Sequence, residues 1–189
     1  MFDRFAGEPI CGAASRGSAE TTPPAHTIRR VEEAFYEKAG GGFVATELTR
    51  GPWDPGAQHA GPPSALLGRE IERVEGGEGF QVARVTFEIL RPVPIGPVTV
   101  EAEVVRPGRS VQMIEATLSG EAGELVKARA WRIRTSEIEI PDDVVSTPEP
   151  PAGPEEGDEP GFFETGQSVG YHTAMEWRSV GGGFLESGP

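Results

Sequence analysis

The stretch Val98–Ser119, VTVEAEVVRPGRSVQMIEATLS, reads as two β-strands folded back on a tight turn. Val98, Val100, Ala102 and Val104 alternate with Thr99, Glu101 and Glu103, and a period of two puts the sets on opposite faces. Pro107-Gly108-Arg109 supplies the turn between Val98–Arg106 and Ser110–Ser119. Two further runs flank this pair, Gln81–Leu90 before it and Glu124–Arg134 after it. Short turns at Pro92–Pro97 and Gly120–Gly123 separate the runs, and short turns make antiparallel neighbours.

Upstream lies Gly51–Ile71, GPWDPGAQHAGPPSALLGREI, a turn-rich segment that runs into a helix start. The pattern predicts a helix over Ser64–Val74, with Ala65, Leu66, Ile71 and Val74 on one side and an end at Gly76-Gly77. Phe43–Thr49 alternates and reads as a strand, and Ile28–Lys38 reads as a short helix after Thr27, ending at Gly40–Gly42. A strand, one helix and four antiparallel strands make an α+β domain in which the helix covers one face of the sheet. No βαβ pattern and no Gly-rich phosphate loop appears, so Rossmann and P-loop readings fail.

The 189 residues fit one domain, or one plus part of another. The net charge of −13, from 30 acidic and 17 basic residues, argues against non-specific nucleic-acid binding and a basic membrane-surface role. Cys11 is the single cysteine, which excludes an internal disulfide framework and a multi-cysteine metal site. Apolar runs fall short of the ~18 residues of a membrane span. With no signal-peptide pattern at the N-terminus, the expected location is cytoplasmic.

The texture divides the chain. Residues 1–27 read as a disordered extension, 28–140 as the compact domain and 141–160 as a Pro/acidic linker. Residues 161–189 regain aromatics, and HTAMEWRSV within them reads as a strand. One strand cannot fold alone, so this end reads as the start of an incomplete second domain.

The residues ahead of the helix carry the candidate chemistry. Asp54 can activate a water as general base, or cap an Asp-Pro-Gly turn. Gln58 and His59 can hold a carbonyl or a water, or sit as surface groups. Gly61 lets a ligand approach backbone N–H groups and an oxyanion gain stabilisation there, or serves as a positive-φ hinge. Arg91 and Arg109 suit phosphate groups, or are solvated strand-end cations. Trp53 and Trp131 read as core or cleft wall. Ser64 lacks a Gly-x-Ser-x-Gly elbow and reads as a helix-start hydroxyl. His26 and His172 read as bystanders, and three scattered histidines make no metal-ligand spacing.

This order of elements resembles the hotdog fold, and the sequence resembles the acyl-CoA thioesterase II group, whose members carry two hotdog units in one chain. The resemblance rests on QHAGPPSALLGREIE at the helix entry, on FEILRPVPIGPVTVEAEVVRPGRSV, and on LVKARAWRI as the closing strand. It covers roughly residues 33–140, with a weaker echo at 160–189. It implies hydrolysis of an acyl-CoA thioester to a carboxylic acid and CoA, as in fatty acid metabolism, with no metal or organic cofactor. Asp54, Gln58, His59 and Gly61 would serve the reacting carbonyl, and Arg91 and Arg109 the CoA phosphates. In that group the better-supported catalytic carboxylate lies on the second unit, so the resemblance also implies a partner: a second copy or a second hotdog unit. Two alternatives stand beside this reading: a hotdog hydratase or dehydratase, and a non-catalytic acyl-CoA-binding half-unit.

Overall fold

The long alternating runs form the body of a six-stranded antiparallel sheet. The computed structural model describes residues 34–141, 150, 152–159 and 163–180, all within one unit, Glu32–Pro189. Its strands are β1 Tyr36–Ala39, β2 Gly42–Ala45, β3 Phe80–Ile89, β4 Pro97–Arg106, β5 Val111–Gly120 and β6 Gly123–Arg134. They lie in the order β1-β2-β4-β5-β6-β3. A helix, α1, spans Gly61–Arg73. This is the hotdog arrangement, one long helix against one antiparallel sheet.

The first hairpin departs from expectation. Tyr36–Lys38, read as the end of a helix, belongs to β1, which pairs with β2. Gly40 takes a positive φ of 56° at the turn, and the Tyr36 and Phe43 rings meet edge to face at 6.4 Å. A β pairing therefore uses the glycines that a helix reading treats as a stop. Positions 28–33 of that helix, and the extension 1–27, lie outside the described residues. The strand expected over Phe43–Thr49 ends at Ala45, because Glu47–Thr49 forms a 3₁₀ turn. Thr49 is fully buried there, and its hydroxyl donates to the Thr46 carbonyl at 2.7 Å.

The strand neighbours also differ. β3 does not pair with β4, which follows it in sequence; it pairs with β6 along its length. The Leu90–Gly96 connector is not a tight turn but a crossover. Pro92 and Pro94 lack N–H groups and keep it extended. It docks instead on the loop before α1, with Gln58 N–H donating to Val93 O at 2.8 Å and Ile95 N–H to Gly56 O at 3.1 Å.

The helix begins at Gly61, three residues before the expected Ser64. Pro62 and Pro63 fit its first turn, where φ near −65° suits the helix and an N–H would have no helical partner. Its buried stripe is Pro63, Leu67 and Ile71, with Pro62 and Leu66 beside it; Ala65 is exposed. Leu67 and Ile71 are fully buried, worth roughly 1.5–3 kcal/mol each. α1 lies chiefly across β4 and β5. Val98, Ile114, Ala116, Leu118, Val126, Ala128 and Ala130 complete this core. Ala116 faces Ala128 across β5 and β6, and such short side chains let the helix approach the sheet.

Alternation then fixes the other face. Ala130 and Arg132 point inward and are buried, so Trp131 between them points outward. It is not core: it lies half-buried on the outer face with the Arg106 guanidinium 5.8 Å from its ring.

The segment HTAMEWRSV does not form the expected strand. Tyr171–Ala174 forms a single helical turn, α2. The Thr173 hydroxyl closes this turn, accepting from Gly170 N–H at 3.1 Å and donating to Gly170 O at 3.0 Å. Farther on, Ser179 makes an isolated β-bridge with Asp158.

Candidate active site

The loop Arg50–Ala60 is held from several sides before any ligand is considered. Arg50 and Gln58 form a β-bridge, Gly51 N–H donates to Ala57 O at 2.9 Å, and His59 N–H donates to Thr49 O at 2.7 Å. The loop and the crossover together wall a cavity of about 370 Å³. Its apolar lining includes Trp53, Pro63, Ile89, Pro92, Val93 and Val126. Its polar side chains are Asp54, Gln58, His59 and Ser64.

Asp54 is exposed on the loop, and its Oδ1 accepts Gly56 N–H at 2.8 Å. This is the Asx-turn arrangement of an Asp-Pro-Gly sequence, and it leaves the second carboxylate oxygen outside the turn. Gln58 is nearly buried and pinned at both ends of its amide. Oε1 accepts the Tyr36 hydroxyl at 2.5 Å, and Nε2 donates to Pro94 O at 2.8 Å. Burial pushes the Tyr36 phenol up, so it remains a hydroxyl donor. Ser64 donates its hydroxyl to Ala60 O at 2.8 Å, the bond of a helix-start residue. Trp53 is 83% exposed and stacks on Phe163 at 5.3 Å, at the rim of the cavity.

His59 has the most specific geometry. Its Nδ1 accepts Gly61 N–H at 3.0 Å. That nitrogen therefore carries no proton, and the neutral ring bears its hydrogen on Nε2. Burial lowers the imidazole pKa below its ordinary value, which favours this neutral form. The ring face stacks on Tyr171 at 4.4 Å and 10°.

Gly61 itself stands elsewhere. Its N–H is already spent on His59, and its φ is not positive. Its small size is needed because a Cβ would lie 3.1 Å from His59 Nδ1 and 3.1 Å from the Tyr171 ring. It lines a separate apolar cavity of about 350 Å³ with Phe35, Leu66, Arg69 and Met175. The first turn of α1 thus offers no free amide to an oxyanion: Pro62 and Pro63 have none, and Ser64 N–H donates to Ala60 O at 3.2 Å. The Ala60 amide, at the edge of the first cavity, makes no hydrogen bond among the described residues.

The two arginines are not brought together. Arg91 donates to Ala122 O at 3.1 Å beside the β5–β6 turn and adjoins Pro92 of the first cavity. Arg109 lies before the other end of β5, where its carbonyl accepts Arg134 Nε at 2.6 Å. A strand of 10 residues separates the two ends, roughly 30 Å.

Two residues at the site escape a sequence reading. Tyr36 falls in a segment that reads as helix, although aromatics flanking a glycine run are a hairpin signal. Tyr171 has no local signal, since its partner His59 lies on the far side of the whole sheet in sequence. His172, next to it, contacts Thr165 Oγ1 at 3.3 Å.

The helix laid across the antiparallel sheet defines a hotdog domain. Residues 49–133 match the family model described as acyl-CoA thioesterase N-terminal domain. Comparison with curated proteins gives no match. Among solved structures, the chain is similar to a thioesterase from Thermus thermophilus in complex with coenzyme A and Zn, at 22% identity and TM-score 0.38, covering 49% of this chain and 80% of that one. It is also similar to the PaaI protein of the E. coli phenylacetic acid degradation operon, at 16% identity and TM-score 0.45, covering 50% and 70%. A candidate thioesterase II from Thermobifida fusca matches at 18% identity and TM-score 0.44, over 54% of this chain and 37% of its own length.

Proposed function

We propose that this domain holds the carbonyl of an acyl-CoA-type thioester for hydrolysis, with His59 as the principal hydrogen-bond donor. The observation that carries the reading is His59: a neutral imidazole, fixed by Gly61 N–H as the Nε2–H tautomer, on the wall of an apolar cavity. The Ala60 amide stands beside it as a second donor. In this reading the acyl chain lies against Ile89, Val93 and Val126, and Arg91 meets the CoA phosphates at the rim.

The reaction needs a base. Water attacks the thioester carbon and gives a proton to a carboxylate; the C–S bond then breaks and that proton passes to the CoA thiolate, leaving a carboxylic acid, a free thiol and the carboxylate restored. Asp54 is the acidic side chain on the cavity and has one oxygen outside its turn. A second hotdog unit, from a second copy or a longer chain, is the other source of that carboxylate. The hydratase reading is disfavoured by His59 itself. Its one lone pair is occupied by Gly61 N–H, so it is a poor proton acceptor.

A thiol-release assay over a panel of acyl-CoAs tests this. His59→Ala is expected to lower kcat by about 10²-fold, the usual cost of losing an oxyanion donor. A comparable loss in Asp54→Ala assigns it as the base, whereas full activity in that variant assigns the base to another unit. Full activity in His59→Ala sinks the donor role. Saturable CoA-ester binding with no hydrolysis leaves a binding half-unit.

A further inference from the structure

We propose that Tyr171, carried by the segment 163–180, is a positioning residue that fixes the orientation of the His59 ring. Two contacts constrain the plane of that ring. One is the Gly61 N–H bond at Nδ1, which a ring flip would break. The other is the face-to-face stack on Tyr171 at 4.4 Å, which blocks rotation about the Cβ–Cγ bond. Both meet at Gly61, whose missing Cβ leaves room for His59 Nδ1 and the Tyr171 ring together.

Tyr171 is itself held. Its ring lies against Phe35 at 5.8 Å and meets Trp177 edge-on at 6.1 Å. Its N–H donates to Arg50 O at 3.0 Å, and Arg50 Nη1 reaches back to Val169 O at 3.4 Å. Arg50 is also the residue that bridges Gln58, so the segment 163–180 forms a strap tied to the same loop that carries His59. Gly170 permits this docking, because a Cβ there would lie 2.8 Å from Arg50 O. Phe163 anchors the other end of the strap on Trp53 at the cavity rim. The segment 163–180 is thus packed against the loop that carries His59 and is not an appendage to it.

The proposal rests on the donor role of His59 only for its kinetic readout. The test uses the full chain labelled with ¹⁵N-histidine, and reads the His59 tautomer by NMR alongside thioester hydrolysis. The wild type and Tyr171→Phe are expected to show the single Nε2–H form. Tyr171→Ala is expected to show a mixture of tautomers, with kcat reduced about tenfold to a hundredfold and KM changed less than about twofold. Gly170→Val, which displaces the strap without altering the tyrosine, is expected to do the same. It decides the matter if Tyr171→Ala does not fold. A single, unchanged tautomer in a folded Tyr171→Ala or Gly170→Val chain overturns the proposal. If the wild type hydrolyses no thioester, the reading of His59 as a catalytic donor fails, while the NMR arm still decides what Tyr171 does.

Discussion

At His59 a single hydrogen bond sets the protonation chemistry. A proton arriving at Nδ1 must displace Gly61 N–H, so the folded chain resists charging this ring. Burial acts in the same direction and lowers the folded pKa. Between that value and the ordinary histidine value of about 6.5, the unfolded chain binds more protons than the folded one. The contribution to stability is therefore complete above about pH 6.5 and is lost as pH falls through the folded pKa. Hydrolysis and Tm are both expected to decline on acidification below about 6.5, and His59→Gln is expected to flatten that part of the Tm profile. An NMR titration placing His59 at or above about 6.5 overturns this. That Asp54, Gln58 and His59 line one cavity was legible, since all lie in the loop just ahead of a helix start. Which atoms they present was not. The partners that decide it, Tyr36, Pro94 and Tyr171, come from a hairpin, a crossover and a strap that local periodicity does not connect.

At the scale of elements, the end of α1 depends on one buried cation. Arg132 is 2% exposed, yet no carboxylate pairs with it among the described residues. Its Nη1 donates to Val74 O at 3.0 Å, its Nη2 to Glu75 O at 2.9 Å and its Nε to Gln112 Oε1 at 2.6 Å. A guanidinium at a helix C-terminus is favoured by the dipole and satisfies carbonyls that the helix leaves open. Arg132→Met is expected to lower unfolding free energy by about 2 kcal/mol, measured by urea denaturation, because it removes three hydrogen bonds to part-buried acceptors. Arg132→Lys keeps the charge but not the fork and is expected to recover only part of this. A change under about 0.5 kcal/mol in Arg132→Met would show the cap to be dispensable. The four long strands were legible to within a residue or so from their alternation and turns. The pairing of β3 was not, because period two says which face a side chain takes and nothing about which strand lies alongside. The same limit hid Arg132: in KARAWRIR either set of alternate residues can face a helix until the alanines are seen beneath it.

For the whole molecule, the sheet is covered unevenly. α1 sits over β4 and β5, so the inward face of β3 is left partly open, with Phe87 36% and Ile89 55% exposed. Leu90, just beyond, is 48% exposed. β3 is also an edge strand, paired on one side only among the described strands. An apolar edge of this kind invites another sheet. The expected outcome is a dimer by light scattering, with Ile89→Glu shifting the population to monomer while leaving the far-UV circular dichroism unchanged. A wild-type monomer at tens of micromolar concentration would remove the second copy as the source of a carboxylate.

The placing of β3 has a further consequence, for a chain still being made. β3 leaves the ribosome before β4, β5 and β6, yet the strand it pairs with is the last of the sheet to be synthesised. Until Gly123–Arg134 has emerged, Val82, Val85, Phe87 and Ile89 have no strand to lie against. That interval is one in which nascent chains can adhere to each other through the same segment. Arg84 and Glu88, set among those apolar residues and pointing to the other face, put charge into the run and so lower its tendency to stack. Exchanging them for neutral residues would leave the finished domain nearly unaltered and yet reduce the fraction of newly made chains that reach it.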